Sequence, residues 1–256
     1  MTSDFVYKIS QAASLIQEAS YIVALSGAGI STPSGIPDFR SQKTGLWEKD
    51  DPMIVASLSS FLHRPMVFFN WLKPLAKEIY NAKPNSAHRS LAALEKIDKL
   101  KAIVTQNIDN LHQKAGSKHV IQVHGSMAEW ECPLCKTRGV LSEKTIINFI
   151  DHFEIPTCES CQHLLKPGIT LFEEMLPFEA WEAATNHFEM ADLVIVIGSS
   201  LEVSPANQLP YIATSKGAKL IINTLSKTPM DQRADLLLPF DVVEVWPEIL
   251  KLMNLD

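Results

Sequence analysis

The sequence has 256 residues, 46% hydrophobic and 20% charged, with a net charge of −6. That length suits one large domain, or a domain carrying a smaller module. The acidic balance argues against nucleic-acid binding as the main task, and neither a secretion signal nor an apolar run of about 18 residues is present. A cytoplasmic, reducing setting is expected, in which four cysteines suit metal better than disulfides.

Phe5, Val6, Ile9, Leu15 and Ile16 recur at helical spacing and predict a helix over 4–19. Tyr21 to Leu25 is a short apolar run, as in a parallel strand buried on both faces. Gly27-Ala28-Gly29 follows at once, where such a strand would turn into a helix. Glycines there let a phosphate approach the backbone, and a helix N-terminus offers free N–H donors. The pattern has Thr32 where a third glycine would stand, and no acidic residue ends a second strand about twenty positions on. A dinucleotide is expected, but not an ordinary hydride-transfer site. Pro33, Gly35, Pro37, Asp38, Phe39 and Arg40 then make a stiff, irregular loop, either a ligand cover or a plain surface loop.

Residues 41–83 read as helical and rich in aromatics, with Phe68-Phe69-Asn70-Trp71 expected in the core and suspected as a pocket wall. Pro84-Asn85-Ser86 starts a helix with Leu91, Leu94 and Ile97 on one face. A strand at Ala102-Ile103-Val104 leads into Gln106-Asn107-Ile108-Asp109, and a short helix ends at Gly116. Val120 to Val123 is another strand, followed by His124-Gly125. Residues 126–166 hold the cysteines and break the alternation, as an inserted module would.

Beyond it, Leu193 to Ile197 is a strong strand signal followed by Gly198-Ser199-Ser200-Leu201, and the strand Lys219 to Ile222 ends at Asn223. Asp241 with Glu244 resembles a helix start, with Pro247 kinking that helix or marking its beginning. Strands alternating with helices predict an α/β fold with a doubly wound, mostly parallel sheet. Ligands bind such sheets beyond the carboxyl ends of the strands. Gly27, Gln106, His124, Gly198 and Asn223 all stand just after predicted strands, so they should converge on one crevice.

Cys132-x-x-Cys135 and Cys158-x-x-Cys161 form two knuckles separated by 22 residues. Each pair brings two thiolates to one metal through a tight turn, and two pairs complete a tetrahedron with no open position. A structural zinc ion is expected.

These motifs together resemble the sirtuin family of NAD-dependent protein deacylases. The residues that carry the resemblance are Gly27-Ala28-Gly29-Ile30-Ser31, Pro37-Asp38-Phe39-Arg40, Thr105-Gln106-Asn107-Ile108-Asp109 with Leu111-His112, His124-Gly125, both cysteine pairs, Gly198-Ser199-Ser200-Leu201 and Asn223. The resemblance implies a Rossmann-like domain over 1–40, 84–125 and 167–256, with a small zinc-plus-helical domain over 41–83 and 126–166. NAD as co-substrate and an acetyl-lysine protein or peptide would meet between them, in a likeness to compact bacterial members expected to be monomeric. Gly27, Ala28, Gly29, Thr32, Phe39 and Arg40 would then line the pyrophosphate and nicotinamide-side loop. Gln106, Asn107, Ile108 and Asp109 would form the nicotinamide pocket, with Asn107 in a catalytic role and Asp109 facing the carboxamide. Gly198, Ser199, Ser200, Asn223 and Val242 would hold the adenosine half, and His124 would be the general base. The implied reaction consumes NAD, releases nicotinamide and gives deacetylated lysine with 2′-O-acetyl-ADP-ribose. Mono-ADP-ribosyl transfer and a non-catalytic NAD-binding module are the competing readings.

The chain departs from the family where Phe172-Glu173-Glu174 stands for Phe-Gly-Glu or Phe-Gly-Asp, and where Glu202 stands at an often apolar position. Members that remove succinyl groups carry a Tyr-x-x-Arg pair, whose counterpart here is Phe69 and Leu72. That difference implies a preference for uncharged acyl groups.

Overall fold

The computed structural model describes residues 2–38, 45–48 and 50–255. Helix α1 (Ser3–Glu18) leads into β1 (Ile22–Ser26), and the helices α2 (Pro52–Val55), α3 (Leu58–His63), α4 (Pro65–Asn81) and α5 (Ser86–Lys96) follow. Next come β2 (Leu100–Thr105), α6 (Leu111–Lys114), β3 (Val120–Gln122), β4 (Gly125–Glu131), β5 (Arg138–Val140), α7 (Glu143–His152) and β6 (Lys166–Ile169). The chain closes with α8 (Phe178–Met190), β7 (Leu193–Ile197), α9 (Leu209–Ser215), β8 (Lys219–Asn223), β9 (Leu236–Leu238) and α10 (Val242–Leu252).

Six parallel strands form one sheet in the order β3-β2-β1-β7-β8-β9. The chain grows outward from β1 in one direction and then, after β3, resumes at β7 on the other side. The carboxyl ends of β1 and its two neighbours therefore flank a crevice at the reversal point. Every residue of β1 and β7 is buried, which explains their unbroken apolar sequences. Ile22 and Ala24 pack with α1, α5 and α10 on one face, while Val23 and Leu25 pack with α8 and α9 on the other.

Caps fix the helix starts. Thr2 accepts from the Phe5 amide at α1, and Asn85 accepts from the Ala87 and His88 amides at α5 while His88 answers through the Asn85 amide. Asp241 caps α10, and Pro247 lies inside that helix rather than at its start.

The second sheet has three antiparallel strands, β5-β4-β6. Phe61, Phe68, Phe69 and Leu72 from α3 and α4 share one apolar cluster with Phe149 and Ile150 of α7, Ile169 and Leu171. The helical stretch and the cysteine-bearing stretch are thus one packed unit. The expected division at 166/167 cuts through β6, because Lys166 to Ile169 pairs with β4 and Ile169 and Leu171 join that cluster.

Phe69 and Leu72 are 2% and 3% exposed, enclosed by Phe61, Phe68 and Phe149. They stand in the core; packing among aromatics encloses the face that the sequence left open. No helix among the described residues is long and apolar enough to cross a membrane.

Candidate active site

A cleft of about 660 Å³ opens at the carboxyl edge of the parallel sheet. Gly27, Ala28, Gly29 and Thr32 line it from the segment after β1, Gln106 and Asn107 from the segment after β2, and His124 from the segment after β3. Gly198, Ser199 and Ser200 enter after β7, and Val242 from the start of α10. Sequence reasoning therefore brought most of its residues to one place. It did not assign Asp38, Glu202, Val203, Asp241 or the run Thr224, Leu225, Ser226 and Lys227 to the site, and these also line the cleft. That run directly follows β8, so the strand-end rule that found the others would have found it too. Phe39 and Arg40 lie outside the described residues.

The turn after β1 differs from the expectation. Directly after β1, two single 3-10 turns, Ala28–Ile30 and Thr32–Ser34, stand where an α-helix was expected, with Pro33 and Gly35 preventing extension. The glycines line the cleft and also let two strand-end segments touch. The Gly29 amide donates to Gly198 O at 2.8 Å and the Gly27 amide to Ile197 O at 3.0 Å. Gly198 has φ +62, and a Cβ there would collide with the Ile30 nitrogen.

His124 sits where the two sheets join. Val123 N donates to Thr105 O, Thr170 N donates to His124 O, and Gly125 opens β4 with φ +75, where a Cβ would collide with the Gly168 carbonyl. His124 Nδ1 is 2.9 Å from the Gln106 carbonyl oxygen. A carbonyl only accepts, so Nδ1 carries the proton and Nε2 keeps its lone pair. Burial lowers the His124 pKa from 6.5, against the opposing pull of that hydrogen bond. The ring is therefore a neutral base at neutral pH.

A polar network runs from the cleft wall into the interior. Gln106 Nε2 donates to Ser199 Oγ at 2.9 Å, and Asn107 Nδ2 donates to Gly27 O and Ser31 Oγ, each at 3.1 Å. Asp109 does not line the cleft: its oxygens accept from Ser31 Oγ at 2.7 Å and the Leu111 amide at 2.8 Å. Burial raises its pKa, with those hydrogen bonds opposing. Ile108 likewise packs inward, against the small unit's apolar clusters.

Asn223 does not reach the cleft either. It is fully buried; Nδ2 donates to the Leu238 and Phe240 carbonyls, and Oδ1 accepts from Trp246 Nε1 at 2.9 Å. Those bonds tie β8 to β9 and α10, and use both amide protons of the side chain within the protein. Glu173, with φ +75, points its carboxylate at the start of α3, accepting from the Ser59 amide at 2.8 Å. Hydrogen bonding to the Ser59 side chain, and then to its amide, holds its pKa below the usual carboxylate value.

On the small unit, the four cysteine sulfurs lie within 4.8 Å of one another. Cys132 and Cys161 are 3.5 Å apart, as are Cys135 and Cys158. A tetrahedron of zinc–thiolate bonds of about 2.3 Å has edges of about 3.8 Å. The donor set therefore fits one zinc ion with every position filled by protein, a structural centre.

Fold and site together define a class: a doubly wound α/β protein with a polar cleft at the strand ends and a small unit carrying a four-thiolate zinc site. The chain belongs to the Sir2 family, whose model matches residues 27–205. An NAD-dependent protein deacetylase of Thermotoga maritima is 40% identical over 237 residues, covering 93% of this chain and 95% of its own. A solved Sir2 complex with a deacetylated p53 peptide and 3′-O-acetyl ADP ribose has a TM-score of 0.89 at 39% identity, covering 95% of this chain and 98% of the other. A Sir2–p53 peptide–NAD⁺ structure has a TM-score of 0.86 at 38% identity, with 97% and 100% covered.

Proposed function

We propose that this chain is an NAD-dependent protein lysine deacetylase, giving deacetylated lysine, nicotinamide and 2′-O-acetyl-ADP-ribose. The observation that carries this reading is His124: a neutral imidazole at the edge of a cleft, its Nδ1 proton held by the Gln106 carbonyl and its Nε2 free to accept one. NAD, when bound, supplies an activated ribose carbon and the nicotinamide leaving group. Ala28, Thr32 and the two glycines beside them border the pyrophosphate, and Ser199, Ser200 and Val242 border the adenosine half. Gln106 and Asn107 line the nicotinamide side, and Asp109 acts from behind through Ser31. His124 Nε2 removes a ribose hydroxyl proton. The zinc thiolates take no part in the chemistry, since all four protein ligands leave no site for water.

A monomer in a reducing cytoplasm belongs to the same reading; the four thiols grouped for metal support the compartment. Mass spectrometry of an acetyl-lysine peptide incubated with protein and NAD tests it. One nicotinamide and one acetyl-ADP-ribose should form per lysine deacetylated. An ADP-ribosylated peptide, or an unchanged one, would overturn it.

A further inference from the structure

His112 is a histidine the reaction does not use. It lies on α6, is 1% exposed and does not line the cleft. Its Nε2 is 2.8 Å from Ser26 Oγ, and Ser26 Oγ donates to Thr105 Oγ1 at 2.8 Å. Ser26 and Thr105 are the last residues of β1 and β2 and stand opposite one another in the sheet. A serine hydroxyl has one proton. With that proton given to Thr105, the contact to His112 requires the ring to donate from Nε2.

The chain of bonds continues. Thr105 Oγ1 accepts from the Asn107 amide at 3.0 Å. That amide belongs to the same planar peptide unit as the Gln106 carbonyl, because the bond between them has partial double-bond character. The carbonyl of that unit receives the proton on His124 Nδ1. One flat, rigid group is thus gripped at its N–H by the hydroxyl pair and at its C=O by the base. Tilting the peptide moves the acceptor on which the His124 tautomer depends.

We infer that His112 is a positioning residue: through Ser26, Thr105 and the 106–107 peptide unit, it fixes the tautomer and orientation of the His124 imidazole. This rests on the deacetylase reading for the role of His124, but not for the geometry. Burial and the neighbouring His88 lower the His112 pKa to about 3, so the ring stays neutral across the working pH range and the Ser26 contact selects its Nε2–H tautomer. Its Nδ1 has no hydrogen-bond partner, so the Nε2 contact is the polar bond this ring makes. An apolar side chain would fill the same space without leaving a nitrogen unsatisfied, so packing alone does not account for an imidazole here.

The test breaks the chain at its hydroxyls, where folding is safest. Ser26→Ala and Thr105→Val remove one oxygen each and keep the local shape; His112→Leu removes the first link. In protein labelled with nitrogen-15 histidine, and with the His124 signals assigned from His124→Ala, the wild-type ring should be the Nδ1–H tautomer. In Ser26→Ala and Thr105→Val it should become a mixture. The rate constant kcat for deacetylation should fall by about 10-fold with peptide KM little changed, as expected for a small misplacement of a catalytic group. An unchanged His124 spectrum in both hydroxyl variants, or in folded His112→Leu protein, would overturn the inference, whether or not kcat falls. If the wild-type protein fails to deacetylate at all, the functional reading fails, while the tautomer measurement still decides the inference.

Discussion

Both faces of the six-stranded sheet carry a continuous apolar core, from Phe5 and Ile16 on one side to Phe188 and Leu209 on the other. Around the cysteine knuckles the only buried cluster is Cys132, Cys158 and Leu165, with Trp130 and Cys161 against it. The same chain therefore uses two means of holding itself together. The large unit relies on apolar area removed from water, worth roughly 25 cal/mol per Å². The outer part of the small unit has too little apolar surface for that and depends on metal–thiolate bonds. His124 lies where the two are joined, and the described residues that line the cleft come from the large unit.

Removing the metal should break the comparison most severely. Binding of structural zinc is worth about 10–16 kcal/mol in small domains at neutral pH. Wild-type protein should hold one zinc per chain, and Cys158→Ser should lose it. Hydrogen exchange should then show lost protection in β4, β5 and β6 but retained protection in β1, β2, β7 and β8. Equal loss in both sheets would show that the units are not independently supported.

Phe188→Ala is the converse experiment. Phe188 is fully buried in the large unit, and its truncation should cost about 3–5 kcal/mol in a denaturant titration while zinc content stays at one per chain. Concurrent zinc loss would tie the two units together more tightly than their cores imply.

Asn223→Ala should come next, at roughly 2–3 kcal/mol, because it strands the Trp246 donor and two carbonyls in the interior. NAD affinity in the folded fraction should change little. A large loss of NAD affinity with unchanged stability would restore the ligand role the sequence suggested.

Acid should act on the large unit through His88 and His112, whose pKa values burial lowers from 6.5 to about 4 and about 3. Above 6.5 both are neutral folded or unfolded and contribute no pH dependence. As pH falls below 6.5 the unfolded chain takes up protons first, so stability declines until the folded-state values are passed. A denaturation midpoint that falls less between pH 6.5 and 4 in His88→Asn than in wild type would assign part of the loss to His88. A level wild-type midpoint would contradict the lowered values.

The units also differed in how much their sequence disclosed. Strands β1, β7 and β8 were legible because burial on both faces requires an unbroken apolar run. Strands β4, β5 and β6 were not, since they are half-buried and interrupted by Glu129, Glu131 and Arg138. Strand β9 is three residues long, and α8 buries only Ala184 and Phe188 completely, too little for a clear periodic signal. The cysteine pairs were legible because metal geometry dictates their spacing. Asn223 shows the limit: a strand end reveals where a polar residue stands, but not whether it faces a ligand or its own backbone. Phe69 shows the same limit for an aromatic face, which nothing in the sequence marks as enclosed.

The central claim is that His124, set between the two units, is the base. His124→Ala should lower kcat for peptide deacetylation by about 10²–10⁴-fold, with NAD affinity measured by calorimetry nearly unchanged. The wild-type rate should stay level at neutral pH and fall on the acid side below 6.5, as the ring takes up a proton. Near-normal turnover in the variant would contradict the account.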